Sequence, residues 1–171
     1  IVKKLSNDVD EMEKMLNEYL QFSKSTFTEK NEKFDFADLI YSLVKKYNLN
    51  KISIEQNDKI IFNGRKSLIQ RCLSNLIDNA LKFGEIVKIR QFIYKKNLII
   101  LIEDDGPGIP SSELENVFKP FYKVDKSRNK ERSSVGLGLS IASDIIRSHG
   151  GSIELSESEM SGLKVKISLP I

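Results

Sequence analysis

Apolar residues fall into helical and alternating stretches along most of the chain. Val2, Leu5, Val9, Met12, Leu16 and Tyr19 recur at spacings of three and four, with charged residues between them. That heptad seam predicts an amphipathic helix over residues 1–24. A stripe so narrow calls for a helical partner, from the same chain or another. Residues 25–33 are polar and read as a linker. Phe36, Leu39, Ile40, Leu43 and Val44 share one face of a helix expected from Phe34 to about Asn50, with Asp35 as its cap. Ile52–Gln56 and Lys59–Asn63 read as short strands, parted by a hairpin-like Asn57-Asp58 turn. Ile69, Leu73, Leu76, Ile77 and Ala80 cluster on one side of a strong helix over 65–83.

Two longer strands follow, Ile86–Tyr94 and Leu98–Glu103, around Lys95-Lys96-Asn97. Residues 104–110 are rich in turn formers. Ser112 with Glu115 resembles a capping box for a short helix. Gly138 to about Ser148 is helical, stopped by Gly150-Gly151. Ile153–Ser156 and Leu163–Leu169 close the pattern as a strand pair. Adjacent strands on short turns predict an α+β sandwich with a mainly antiparallel sheet and helices on one face.

Composition narrows the class. The chain has 171 residues, 40% hydrophobic and 30% charged, which fits an ordinary globular protein and excludes global disorder. Its single cysteine, Cys72, fits a reducing compartment. No apolar run approaches the roughly 18 residues of a membrane helix. The opening at Ile1, already close to a helical pattern, suggests a fragment of something longer. There are 27 basic and 24 acidic residues, and the net +3 is too small to imply nucleic-acid binding.

Three segments carry candidate chemistry. On the 65–83 helix, Asn75, Asn79 and Lys82 fall within about 60° of each other on a helical wheel. Amide oxygens suit a hard divalent cation, and an ammonium balances phosphate; a solvated helix face is the plain alternative. Asp104-Asp105-Gly106-Pro107-Gly108-Ile109-Pro110 leaves an apolar strand, where a carboxylate can accept from an exocyclic amine. Gly136-Leu137-Gly138-Leu139 opens a helix, whose free N–H groups suit phosphates.

These segments together resemble the catalytic ATP-binding domain of sensor histidine kinases. Asn75–Phe83 is similar to that family's N box and Asp104–Pro110 to its G1 box. Phe118–Lys123 is similar to its F box, and Gly136–Ile141 to its G2 box. His149-Gly150-Gly151 matches a stretch common before its closing strands. The resemblance covers the domain from about residue 34 to 171, and residues 1–24 look like the second helix of the dimerisation hairpin. The implied fold is the two-layer sandwich of the GHKL (Bergerat) type, with a mixed, mainly antiparallel sheet, three helices on one face and a long N-terminal helix ahead of it.

The resemblance implies residue roles. Asn79 ligates Mg²⁺ on the ATP phosphates, supported by Asn75, while Lys82 contacts phosphate and Phe83 packs near adenine. Asp104 accepts the adenine amine, in a pocket shaped by Gly106, Gly108 and Ile109. Phe118 and Phe121 anchor one end of an ATP lid, and Lys123 reaches the γ-phosphate. Gly136, Leu137, Gly138 and Leu139 cradle phosphate at the far end. Ser134 stands where the family usually has another glycine, which bears on the lid's hinge. The basic run 122–132 holds the whole net charge and falls on that lid.

The family's acceptor histidine lies on the first hairpin helix. His149 does not match it and reads as a structural helix-end residue, so this fragment is expected not to autophosphorylate alone. The resemblance implies a response-regulator receiver domain as partner, a homodimer through the hairpin, and no nucleic acid. It also implies a cytoplasmic domain of an inner-membrane sensor. Alternatives are an ATP-hydrolysing clamp of the same fold, an anti-sigma serine kinase, and a coiled-coil adaptor with a degenerate pocket. Hydrolytic members carry a glutamate where Asn75 stands, and Asn75 cannot act as a base.

Overall fold

The computed structural model describes residues 28–124 and 136–171, with residues 9, 10, 12, 13, 16, 17, 19, 20, 23 and 24. Most of the expected N-terminal helix, and the segment holding Ser134 and most of the basic run, lie outside the described residues. The seam residues Val9, Met12, Leu16 and Tyr19 are all exposed.

Strand β1 (Glu32–Asp35) leads into helix α1 (Phe36–Val44). Strands β2 (Ile52–Asn57) and β3 (Ile61–Gly64) precede helix α2 (Lys66–Phe83). Strands β4 (Val87–Tyr94) and β5 (Asn97–Asp104) follow, then single 3₁₀ turns at Ser111–Glu113 and Asn116–Phe118. Helix α3 (Gly138–Arg147) and strands β6 (Ser152–Glu157) and β7 (Leu163–Pro170) complete the order. The main sheet runs β2-β4-β5-β7-β6, and β1 with β3 forms a separate two-stranded sheet. Pairing is antiparallel for β4–β5, β5–β7 and β6–β7, and parallel for β2–β4.

This is the expected α+β sandwich, with three corrections of detail. β2 and β3 do not form a hairpin: β2 joins β4, while β3 pairs with β1. The chain needs α2 as the crossover between the parallel strands β2 and β4. Residues 32–35 are a strand rather than linker and helix start, and α1 begins at Phe36. Ser112 and Glu115 make no capping box; the two 3₁₀ turns there have no side-chain cap. Asp35 does cap α1, its Oδ1 accepting the Ala37 N–H at 3.0 Å.

Alternation along the strands sends Ile89, Ile100, Ile102, Val165, Ile167 and Leu169 to one face. There they bury against α2 through Leu73, Leu76 and Ile77 and against α3 through Ile141 and Ile145. Each such side chain contributes about 1.5–3 kcal/mol by leaving water. Phe34, Phe36 and Phe62 gather with ring centroids 5.9–6.0 Å apart, seating α1 on the small sheet. The opposite sheet face is charged. Glu103, only 3% exposed, pairs there with Arg90 at 2.6 Å and lies 4.0 Å from Lys164.

Two long-range ties hold α2 and α3 together away from the candidate site. His149 Nδ1 lies 2.7 Å from the Ile145 carbonyl, and its Nε2 accepts the Arg65 N–H at 3.1 Å. The Arg65 guanidinium in turn donates to the Ser148 carbonyl and hydroxyl. His149 is thus the structural residue the sequence suggested. Its burial lowers its pKa below the ordinary histidine value.

Candidate functional site

The start of α3 meets the polar face of α2. Gly138, the first residue of α3, lies beside Asn79: a Cβ on it would be in ordinary van der Waals contact with the Asn79 amide nitrogen, at 3.4 Å. The same atom would lie 3.9 Å from Asn75 Cβ. Both asparagines are half-buried. Among the described residues no side chain caps the N-terminus of α3. The Ile141 N–H bonds to Leu137, and the N–H groups before it belong to the uncapped first turn. These backbone donors, without a partner among the described residues, sit beside two carboxamides at the positive end of a helix.

Asp104 forms the second part. It ends β5 with its side chain on the helix-facing side and is 4% exposed. Its Oδ1 accepts from the Gly106 N–H at 2.9 Å and from the Leu163 N–H at 3.1 Å. Burial raises its pKa against the opposing pull of those two N–H groups, and the Asp105 charge adds to the rise. Asp105 behaves oppositely. Its Oδ1 accepts from Ile86 and Glu85, which lowers its pKa and fastens the exit of α2 to the strand end.

Glycines bring these segments close. A Cβ on Gly106 would lie 2.8 Å from the Phe83 carbonyl oxygen, so the 104–110 loop packs on the end of α2. Gly108 has φ +69°, a left-handed conformation that favours glycine. Ile109 is half-buried just after it. Lys82 Nζ lies 5.5 Å from the Phe83 ring centroid, and Phe83 is 47% exposed.

The third part joins Phe121 to Gly136. The Phe121 N–H donates to the Gly136 carbonyl at 3.0 Å, and both residues have positive φ. Phe118 is half-buried in a 3₁₀ turn that packs on α3, while Phe121 and Lys123 are exposed. The Tyr122 hydroxyl bonds to Glu113. Leu137 is buried in the core at 2% exposure, and Leu139 packs at its margin.

The structure thus brings Asn75, Asn79 and Gly138 together, joins Lys82 to Phe83, and sets Asp104 with Gly106. It also reveals residues the motifs did not single out. A Cβ on Gly162 would run into both the Asp104 carbonyl oxygen and its Oδ1. The Ser161-Gly162 pair was legible as a turn; its neighbour across the sheet was not. Gly84 is less tight but still close, 2.8 Å from Asp105 Oδ1 by the same construction. Among the described residues no cluster of three His, Cys, Asp or Glu side chains could hold a metal.

Residues 64–171 match the family model described as histidine kinase-, DNA gyrase B-, and HSP90-like ATPase. The sensor histidine kinase GtrS of Pseudomonas aeruginosa is 31% identical over 170 residues, 98% of this chain and 35% of that protein. The sensor histidine kinase WalK of Bacillus subtilis is 31% identical over 180 residues, 96% of this chain and 29% of its own length. The chain therefore spans about a third of these relatives. Among solved structures, the mycobacterial sensor histidine kinase MprB superposes with a TM-score of 0.70 at 26% identity, covering 82% of this chain and 97% of that one. The Acinetobacter baumannii histidine kinase AdeS gives 0.73 at 25% identity, covering 98% and 82%.

Proposed function

Because the chain belongs to the family of histidine kinase-, DNA gyrase B-, and HSP90-like ATPases and carries a sensor histidine kinase catalytic domain, we propose that it binds Mg-ATP as the kinase core of a two-component sensor. The observation that carries this reading is the meeting of Gly138 with Asn79 at the uncapped start of α3. That junction offers N–H donors for phosphate oxygens and an amide oxygen for a hard cation. Mg²⁺ suits the donor set, because it takes few protein ligands and completes its shell with phosphates and water. When bound, the ion neutralises phosphate charge.

The same reading assigns the remaining roles. Asn79 is the metal ligand, with Asn75 beside it; Lys82 and Lys123 supply positive charge toward the phosphates. Asp104 accepts the adenine amine while Phe83 covers the base. Gly106, Gly108 and Ile109 shape that pocket, and Gly136 to Leu139 line the phosphate end. Phe118 and Phe121 anchor the segment between. This machinery positions and stabilises charge and forms no covalent intermediate. The γ-phosphoryl group passes to a histidine outside this chain, and from there to an aspartate on a response-regulator receiver domain. In the parent protein the seam at Val9, Met12, Leu16 and Tyr19 belongs to a dimerisation hairpin, and the domain is the cytoplasmic part of a membrane sensor.

A water-activating role fails at Asn75, which cannot take a proton. The hydrolytic clamp is therefore not favoured. Calorimetry with ATP, with and without Mg²⁺, tests the proposal. Wild-type protein is expected to bind ATP more tightly with the ion, and Asn79→Ala to lose that increment. ATP binding indifferent to both would sink the site.

A further inference from the structure

The residue that selects the base holds one oxygen back. Both N–H donors to Asp104, from Gly106 and from Leu163, converge on Oδ1. Oδ2 is left as the oxygen with acceptor capacity for a ligand. Which oxygen is engaged depends on two backbone segments that close on the carboxylate. Gly106 is so close that its Cβ would lie 2.9 Å from Oδ1. The β6–β7 turn presses Gly162 against both the backbone and the carboxylate of Asp104.

That turn is internally wired. Ser158, 5% exposed, donates its N–H to the Gly162 carbonyl at 2.9 Å and accepts the Ser161 N–H at 3.0 Å. Its hydroxyl accepts the Met160 N–H at 3.1 Å. Ser161 is held at φ +69°, an uncommon conformation for a residue with a side chain. The Gly162 carbonyl oxygen also lies 3.4 Å from where a Gly108 Cβ would stand. The turn therefore touches both the carboxylate and the glycine loop that follows it.

We infer that the Ser158–Leu163 turn is the positioning element for base selection: by placing Gly162 and the Leu163 N–H against Asp104 it fixes Oδ1 and aims Oδ2 at a 6-amino purine. This rests on the ATP reading of the site. Gly162, Leu163 and Ser158 are positioning residues that act through Asp104 and need not touch the nucleotide. A 6-oxo purine places an acceptor against Oδ2 and is rejected only while the carboxylate is held in this orientation.

The test compares ATP with ITP, which carries a 6-oxo group and an N1–H in place of the 6-amino group and bare N1, by calorimetry on wild-type, Gly162→Ala and Ser158→Ala protein, with melting temperatures alongside. Wild type is expected to prefer ATP by about tenfold or more, and Gly162→Ala to lose most of that preference by weakening ATP while ITP changes less than about threefold. Ser158→Ala, which only loosens the turn, is expected to shift the ratio the same way by less, and it decides the matter if Gly162→Ala does not fold. Equal weakening of both nucleotides, or a lowered melting temperature with the preference intact, would overturn the inference while leaving the ATP site standing. Wild-type protein that binds neither nucleotide would overturn the ATP reading, and this inference with it.

Discussion

Arg65 and His149 stand 84 positions apart, yet the Arg65 backbone N–H donates to His149 Nε2 at 3.1 Å. This contact joins the residue before α2 to the one just past the end of α3, and it requires an unprotonated Nε2. Burial lowers the folded-state pKa of His149. As pH falls below the ordinary histidine value, the unfolded chain takes up a proton before the folded one does. Stability is therefore intact above that value, falls as pH drops toward the folded-state pKa, and levels below it. Urea denaturation at stepped pH is expected to show this slope, and His149→Gln to flatten it. Replacing His149 with Ala at neutral pH is expected to cost about 1–2 kcal/mol, the loss of hydrogen bonds to partly buried partners.

Gly138 separates stability from binding. It lies at the start of α3, and its φ needs no glycine, because only Gly108, Gly136 and Gly150 have positive φ among the glycines described. Gly138→Ala is expected to leave the protein folded and to raise stability by up to about 1 kcal/mol through helix propensity. The added methyl would stand 3.4 Å from the Asn79 amide, in the space offered to phosphate. ATP affinity is expected to fall about tenfold, a loss of about 1.4 kcal/mol. Thermal melting and calorimetry on the same sample check both halves; unchanged affinity would show that phosphate does not approach this turn.

Cys72 reports on the core. It is fully buried on α2, and burial pushes its thiol pKa well up. The thiolate is the reactive form, so a native sample is expected to react with a thiol reagent more than about 100-fold slower than a urea-unfolded one. Fast labelling without denaturant would mean that α2 and α3 part readily in solution.

Much of this was legible in the chain. The period of Ile69, Leu73, Leu76 and Ile77 marks α2, and all four are buried there. Asp35 was readable as a cap because capping is local. The errors fall where partners are distant. Asn57-Asp58 has the composition of a hairpin turn, but Ile52 finds its partner at Val87, across a whole helix. Glu32–Asp35 offers one apolar residue, Phe34, and becomes a strand only because β3 lies beside it. Asn79, Asp104 and Gly138 were found as motifs, whereas Gly162 acts on a residue brought beside it by the register of β5 and β7. Leu137 shows the limit of motif adjacency: its neighbours border the site while its own side chain fills the core.

The strand order has a temporal side. β7 is the last strand in sequence, yet it lies between β5 and β6 in the sheet. While a ribosome is still making residues 163–170, β5 lacks one neighbour and β6 has none. The hydrogen bond from Leu163 to Asp104 cannot exist before that moment. A nascent chain thus carries Asn75, Asn79 and the Gly136–Gly138 turn before Asp104 can gain the Leu163 donor. The grip on Asp104 is complete only when β7 slots into the middle of the sheet.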